Sequence, residues 1–177
     1  MDTNGGKPWD ERLVAALRPG YRLRWEGIHG WPHWVRVREN GERLAAVTGA
    51  DLEVVEAFAL LHDVARRNDA YDPGHGARAA ELVLLLAGEL LRLDRLQLEQ
   101  LTYACAHHTE GLLDADATVQ TCWDADRLDL GRVGIVPDPA QLCTEAARRP
   151  EMLEWAWQRS VGDESSAAQT RIGATHV

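Results

Sequence analysis

Apolar residues recur three and four positions apart along most of this chain, the spacing that lines one face of a helix. The pattern is clearest after Asp51, where Leu52, Val55, Phe58, Ala59 and Leu61 share a face. It predicts a helix over 51–67 with Asp51 as its N-cap. The same reading predicts a short helix over 9–18 and another over 27–39, the latter stopped by Asn40-Gly41. A turn at Asp72-Pro73-Gly74 opens a helix through residue 91, and Asp94 opens one through His108, closed by Gly111. Further helices are predicted over 118–129, stopping near Gly131, and over 138–159 with a break around Pro150. No segment alternates apolar and polar β-branched residues, so the expected fold is a compact all-α bundle of about seven helices.

Composition supports this reading. Hydrophobic residues make up 45% of the 177, with a single Phe and a preponderance of Leu and Ala. Such residues lose little rotamer freedom in a helix. The length suits one domain, expected over 9–160 between a loose N-terminus (1–8) and a small, polar, disordered tail (161–177). A net charge of −9 argues against nucleic-acid polymers and anionic membrane surfaces as partners, and the Arg66-Arg67 and Arg148-Arg149 pairs are too short to track a polyanion. A small anionic, phosphate-containing substrate attracted by metal ions remains compatible with it, as does a homodimer. Cys105, Cys122 and Cys143 are too widely spaced for a disulfide framework or a structural zinc site and are expected to be buried and reduced. No apolar leader or spanning stretch occurs, so a cytoplasmic location is expected.

The chemistry lies in the histidines and aspartates. His62-Asp63 ends the apolar run Phe-Ala-Leu-Leu, His107-His108 end another apolar helix, and Asp124 and Asp126 flank Ala125 behind Cys122-Trp123. An imidazole and a carboxylate at the inner end of a buried helix cost desolvation unless something compensates both, and a divalent cation does. Helical bundles build metal sites in this way.

These residues resemble the HD-domain superfamily of metal-dependent phosphohydrolases. His33-Trp34-Val35-Arg36-Val37 is similar to that family's His-x-x-Arg-Val motif, and Leu60-Leu61-His62-Asp63-Val64-Ala65-Arg66 to its His-Asp motif. His75-Gly76, Ala106-His107-His108 and the run Cys122 to Asp129 resemble its later elements, in order across residues 28–135. The resemblance implies a first divalent metal (Mn, Fe, Co, Ni, Mg or Zn) held by His33, His62, Asp63 and Asp124. A second would share Asp63 and add His75 and one or both of His107 and His108. It also implies Asp63 as the residue that orients the attacking water and His107 or His108 as proton donor. Arg66, with Arg36 or Arg127, is a candidate to hold phosphate.

Other roles stay open at this stage. His29, four residues before His33, could share its helix face and replace it; Asp126 reads as an arginine partner and Asp129 as a surface charge. Trp31 and Trp34 could wall a pocket, although core packing is the plainer role for them and for Trp155 and Trp157. The same ligand set would also serve a di-iron oxygenase, and the fold alone would serve a non-catalytic nucleotide-binding module.

Overall fold

The structure is a computed structural model that describes Trp9 and residues 11–172, with side chains through Gly162. Among the described residues it contains eight α-helices and no strand, so the chain is all-α. They are α1 (Glu11–Leu17), α2 (Trp31–Thr48), α3 (Leu52–Leu61), α4 (His75–Leu86), α5 (Arg95–His107), α6 (Ala117–Arg127), α7 (Glu145–Arg148) and α8 (Pro150–Ile172).

Helix starts follow the capping chemistry in the sequence. The Asp51 carboxylate accepts the Glu53 and Val54 amides at the head of α3. Asp94 forms a reciprocal capping box with Gln97 on α5, and Asp116 caps α6 through the Thr118 and Val119 amides. Each such cap satisfies amides that the helix itself leaves unpaired.

One helix end departs from expectation. Helix α2 does not stop at Asn40-Gly41; it runs to Thr48 and ends on Gly49, in the left-handed region at φ 75°. Both Asn40 and Gly41 are buried in mid-helix, where the Asn40 amide donates to the Ala125 carbonyl at 2.9 Å. A Cβ on Gly41 would lie 2.4 Å from Val55 Cγ1, so this glycine permits close approach of α3. Three other ends also moved. Helix α3 stops at Leu61, α4 stops at Leu86 before Gly88 (φ 82°), and the last predicted helix begins only at Glu145, while its expected break at Pro150 is present and separates α7 from α8. Helix α8 continues past Gly162 to Ile172. The predicted loose N-terminus (1–8) and residues 173–177 lie outside the described residues.

Helix α3 is buried nearly all round, with Val54, Val55, Ala57, Phe58, Ala59, Leu60 and Leu61 at most 1% exposed. It is the axis of the bundle: α2, α5 and α6 pack around it, and α4 packs on α5. Trp34, Val37, Leu101 and Trp123 complete that core, while Leu44, Leu128, Leu142 and Met152 form a smaller one under α7 and α8. Burial of each large side chain contributes about 1.5–3 kcal/mol. The consequence for function is positional: the chain leaves the most buried helix directly into His62 and Asp63.

No helix is long and apolar enough to cross a membrane among the described residues. Cys105 and Cys122 are buried free thiols, whereas Cys143 is only half-buried, contrary to expectation, because its Sγ faces the Arg127 guanidinium and the Leu112 carbonyl near the surface.

Candidate metal centre

Five imidazoles surround the Asp63 carboxylate. Its Oδ2 lies 2.8 Å from His29 Nδ1, 3.8 Å from His33 Nε2 and 4.0 Å from His62 Nε2. Its Oδ1 lies 3.1 Å from His75 Nε2, 3.6 Å from His108 Nε2 and 3.5 Å from an Arg66 nitrogen. The two oxygens thus face two separate histidine groups. All five histidines are at most 7% exposed and Asp63 is 2% exposed.

Hydrogen bonds at the outer nitrogens orient the rings. His62 Nδ1 donates to the Phe58 carbonyl one helical turn back (3.1 Å), and His108 Nδ1 to the Cys105 carbonyl (2.8 Å). His75 Nδ1 donates to the Asp72 carbonyl (2.5 Å), and His33 Nδ1 to Asp129 Oδ2 (2.7 Å). A carbonyl oxygen can only accept, and so does the Asp129 carboxylate paired with Arg36, so those Nδ1 atoms carry a proton; on a ring with no second proton the inward Nε2 is bare. His33 Nε2 and His62 Nε2 then face each other at 3.0 Å. Burial, aided by the Arg132 charge, pushes His33 well below the usual imidazole range, and burial brings His62 down to about 4. Near neutral pH neither ring supplies a proton to the space between them, and two lone pairs converge there.

Asp126 aims at the same space. Its Oδ1 is buried without a hydrogen-bond partner and lies 3.5 Å from His33 Nε2 and 3.8 Å from His62 Nε2. Burial would raise this carboxyl, but His62 and Arg132 outweigh burial and lower it. Two bare imidazole nitrogens and two carboxylate oxygens therefore converge. A tetrahedral ion with bonds near 2.0–2.2 Å holds its donors about 3.3 Å apart. The separations among His33, His62 and Asp63, 3.0–4.0 Å, fit that requirement, and Asp126 Oδ1 stands beside the two imidazoles. His33, His62 and Asp63 form one group able to hold a metal ion, and Asp63, His75 and His108 form another.

Burial alone would raise the Asp63 carboxyl, but the surrounding rings, His62 foremost and then the bonds to His108, His29 and His75, hold it well below the usual carboxylate range. For His108, the bond to Asp63 and the nearby carboxylates overcome burial and raise the pKa, which favours a proton on that ring.

The structure brings together His33, His62, Asp63, His75, His108 and Arg66 of the expected site residues, and not Asp124 or His107. Both Asp124 oxygens point away from the cluster. Oδ1 accepts the Cys143 amide (2.7 Å), and Oδ2 accepts the Thr144 amide and hydroxyl (both 2.8 Å). Its role is to anchor the loop before α7. His107 is half-exposed and bonds Glu110 at 2.9 Å, because the ring of its neighbour His108 takes the inward direction. Arg66 is buried against Asp63 and His75, and its guanidinium donates to the Ala70 carbonyl (2.8 Å), so it braces the centre. Arg36 pairs with Asp129 (2.6 Å), while Arg127 donates to the Gln141 and Leu112 carbonyls, outside the centre.

Several participants went unread in the sequence. Asp129 is 1% exposed, not a surface charge, and it locks His33. Asp126 is more than an arginine partner. Arg132 had no sequence signal, yet it donates to the Ile28 carbonyl (2.9 Å) and lies 3.8 Å from Asp126. Tyr21 places a buried hydroxyl without a hydrogen-bond partner where burial and the Asp63 charge raise its pKa. His29 precedes α2 and does not share its face with His33. The Trp31 amide bonds the Trp25 carbonyl at 2.7 Å, and this turn directs His29 to Asp63 while His33 enters from the helix. Trp34 is fully buried and stacks edge-on with Tyr21 and Trp25, a packing role.

The chain matches no family model, no curated protein and no solved structure.

Proposed function

We propose that this chain is a metal-dependent phosphohydrolase of the HD type, acting on a small phosphate ester such as a nucleotide. The observation that carries the reading is the pair of bare Nε2 atoms on His33 and His62, 3.0 Å apart, with the buried Asp126 Oδ1, which has no hydrogen-bond partner, beside them. Such a cluster of electron-rich donors in a buried site calls for a cation. The proposed ligands of a first ion are His33, His62 and Asp63, joined by Asp126, whose Oδ1 lies 3.5 Å and 3.8 Å from the two imidazoles; Asp63, His75 and His108 are available to a second. A divalent ion there would supply Lewis-acid polarisation of a phosphoryl oxygen and lower the pKa of a water toward about 7.

The chain's own side chains account for the rest. Asp63, fixed by Arg66 and His29, holds the two halves of the site in register. With a single ion bound, His108 is the candidate proton donor to the leaving oxygen, since its bond to Asp63 favours a proton on the ring; with two, its Nε2 would serve as a ligand instead. A cavity of about 450 Å³ lined by Arg66, Tyr71, His75, Thr109 and Glu110 offers the substrate a way in. Its wall carries both Arg66 and His75, so an ester entering there meets the second histidine group first.

The test is turnover of a panel of nucleotides and sugar phosphates with Mn, Co, Ni or Mg. Metal-dependent phosphate release should disappear in Asp63→Ala and Asp126→Ala and persist in His107→Ala. A metal-loaded chain that turns over nothing on the panel contradicts the reading, as does a fully active Asp63→Ala variant.

The second histidine group also favours a second reading, a di-iron oxygenase, since two triads share Asp63. Stoichiometric iron together with dioxygen consumption would select that chemistry over hydrolysis.

A further inference from the structure

The fold gathers cations that the sequence disperses. Arg22 follows α1 and its short 3-10 turn, Arg67 lies in the loop between α3 and α4 that carries His62 and Asp63, and Arg78 lies on α4. All three line one cavity of about 290 Å³, whose remaining wall includes Leu17, Val64 and Leu82. Arg78 is partly committed: it pairs with Asp72 and donates to the Ala65 carbonyl at 3.0 Å. The Arg22 and Arg67 side chains are exposed and pair with no carboxylate among the described residues. In a chain of net charge −9, three guanidinium groups around one concavity form a local reversal of sign. Such a concavity focuses positive potential and draws in anions.

We propose that this cavity is an anion site for a small phosphate-bearing molecule, separate from the candidate metal centre. Guanidinium groups offer planar forks of N–H donors that match phosphate oxygens in pairs, which favours phosphate over a spherical halide. The volume lies at the lower edge of the roughly 300–1,000 Å³ of small-molecule sites, so it suits a phosphate with a short organic group. Leu17, Val64 and Leu82 give that group an apolar wall. Arg66 also lines the cavity, but its guanidinium turns inward to Asp63, His75 and the Ala70 carbonyl. Arg66 therefore forms the partition between the two sites. The inference does not depend on the reaction proposed above.

Calorimetric titration of inorganic phosphate into the full chain, at constant ionic strength, tests it. Saturable one-to-one binding is expected. The double variant Arg22→Ala/Arg67→Ala, altered at two exposed positions, should weaken binding by about tenfold or more, the scale set by lost charge-assisted bonds. Asp63→Ala should leave it in place, which separates this site from phosphate held at the metal centre. Absence of saturable binding, an unchanged double variant, or loss of all binding in Asp63→Ala each overturns the proposal. Repeating the titration with glycerol phosphate on the Asp63→Ala protein distinguishes free phosphate from a phosphate ester. Tighter binding of the ester assigns the apolar wall to its organic group, and equal affinity assigns the site to the phosphate alone; either upholds it. Binding of neither overturns it.

Discussion

Asp124 and Asp126 stand on either side of Ala125 on α6, and positions two apart on a helix point about 200° from one another. Only one of them can face α3. Asp126 does, and Asp124 instead receives three donors from Cys143 and Thr144. The two replacements should therefore separate function from stability. Asp126→Ala is expected to lose metal retention with little change in the unfolding midpoint of the metal-free protein. Asp124→Ala is expected to retain metal while losing about 1–3 kcal/mol of stability, since removal of the acceptor leaves buried donors unsatisfied. Metal analysis and denaturant titration of both variants check this pair, and metal loss in Asp124→Ala alone would reverse the assignment. The alternation was visible in the sequence as a pair of acids in an apolar segment. Which member turns inward depends on the rotation of α6 about its axis, set by Trp123 and Cys122 packing in the core. By contrast, His62 and Asp63 were legible because they end the most apolar run in the chain.

At the scale of elements, caps were readable and the middle of α2 was not. Asp51 and Asp94 act through their own neighbours, so local chemistry is sufficient to place α3 and α5. Asn40-Gly41 carries the same local signal as a helix end, but its meaning is decided by α3 and α6, remote in sequence. Val55 needs the space that a Cβ on Gly41 would take, and the Ala125 carbonyl needs the Asn40 amide. Gly41→Ala should consequently destabilise the fold by about 1–3 kcal/mol through overpacking, despite the better helix propensity of alanine. Adding Val55→Ala should recover part of that loss relative to the Val55→Ala single variant. Denaturant midpoints of the three variants measure this, and a stabilised Gly41→Ala would show that the crossing has slack.

For the whole molecule, the centre links folding to pH and to metal. His62 is held at about 4 by burial, below its unfolded value of 6.5, and His33 is lowered in the same direction. Between those values the unfolded chain binds more protons than the folded one, so stability rises with pH there. The metal-free protein should lose stability as pH falls from 6.5 toward 4. His108 is shifted the other way, and its contribution is fully present below 6.5, so it does not reverse this trend in that window. Chemical denaturation at pH 7.0 and pH 4.5 checks the sign, and equal midpoints would contradict it. A divalent ion that binds only the folded state at a hundred times its Kd should add about 2.7 kcal/mol, removable by a chelator.

The central claim is that Asp63 joins two histidine groups around bound metal. Elemental analysis of the purified chain beside its Asp63→Ala variant tests it most directly. The account predicts one or two divalent ions per wild-type chain and close to none in the variant, with helical content unchanged. Metal retained in full by Asp63→Ala, or absent from the wild type after reconstitution, would contradict it.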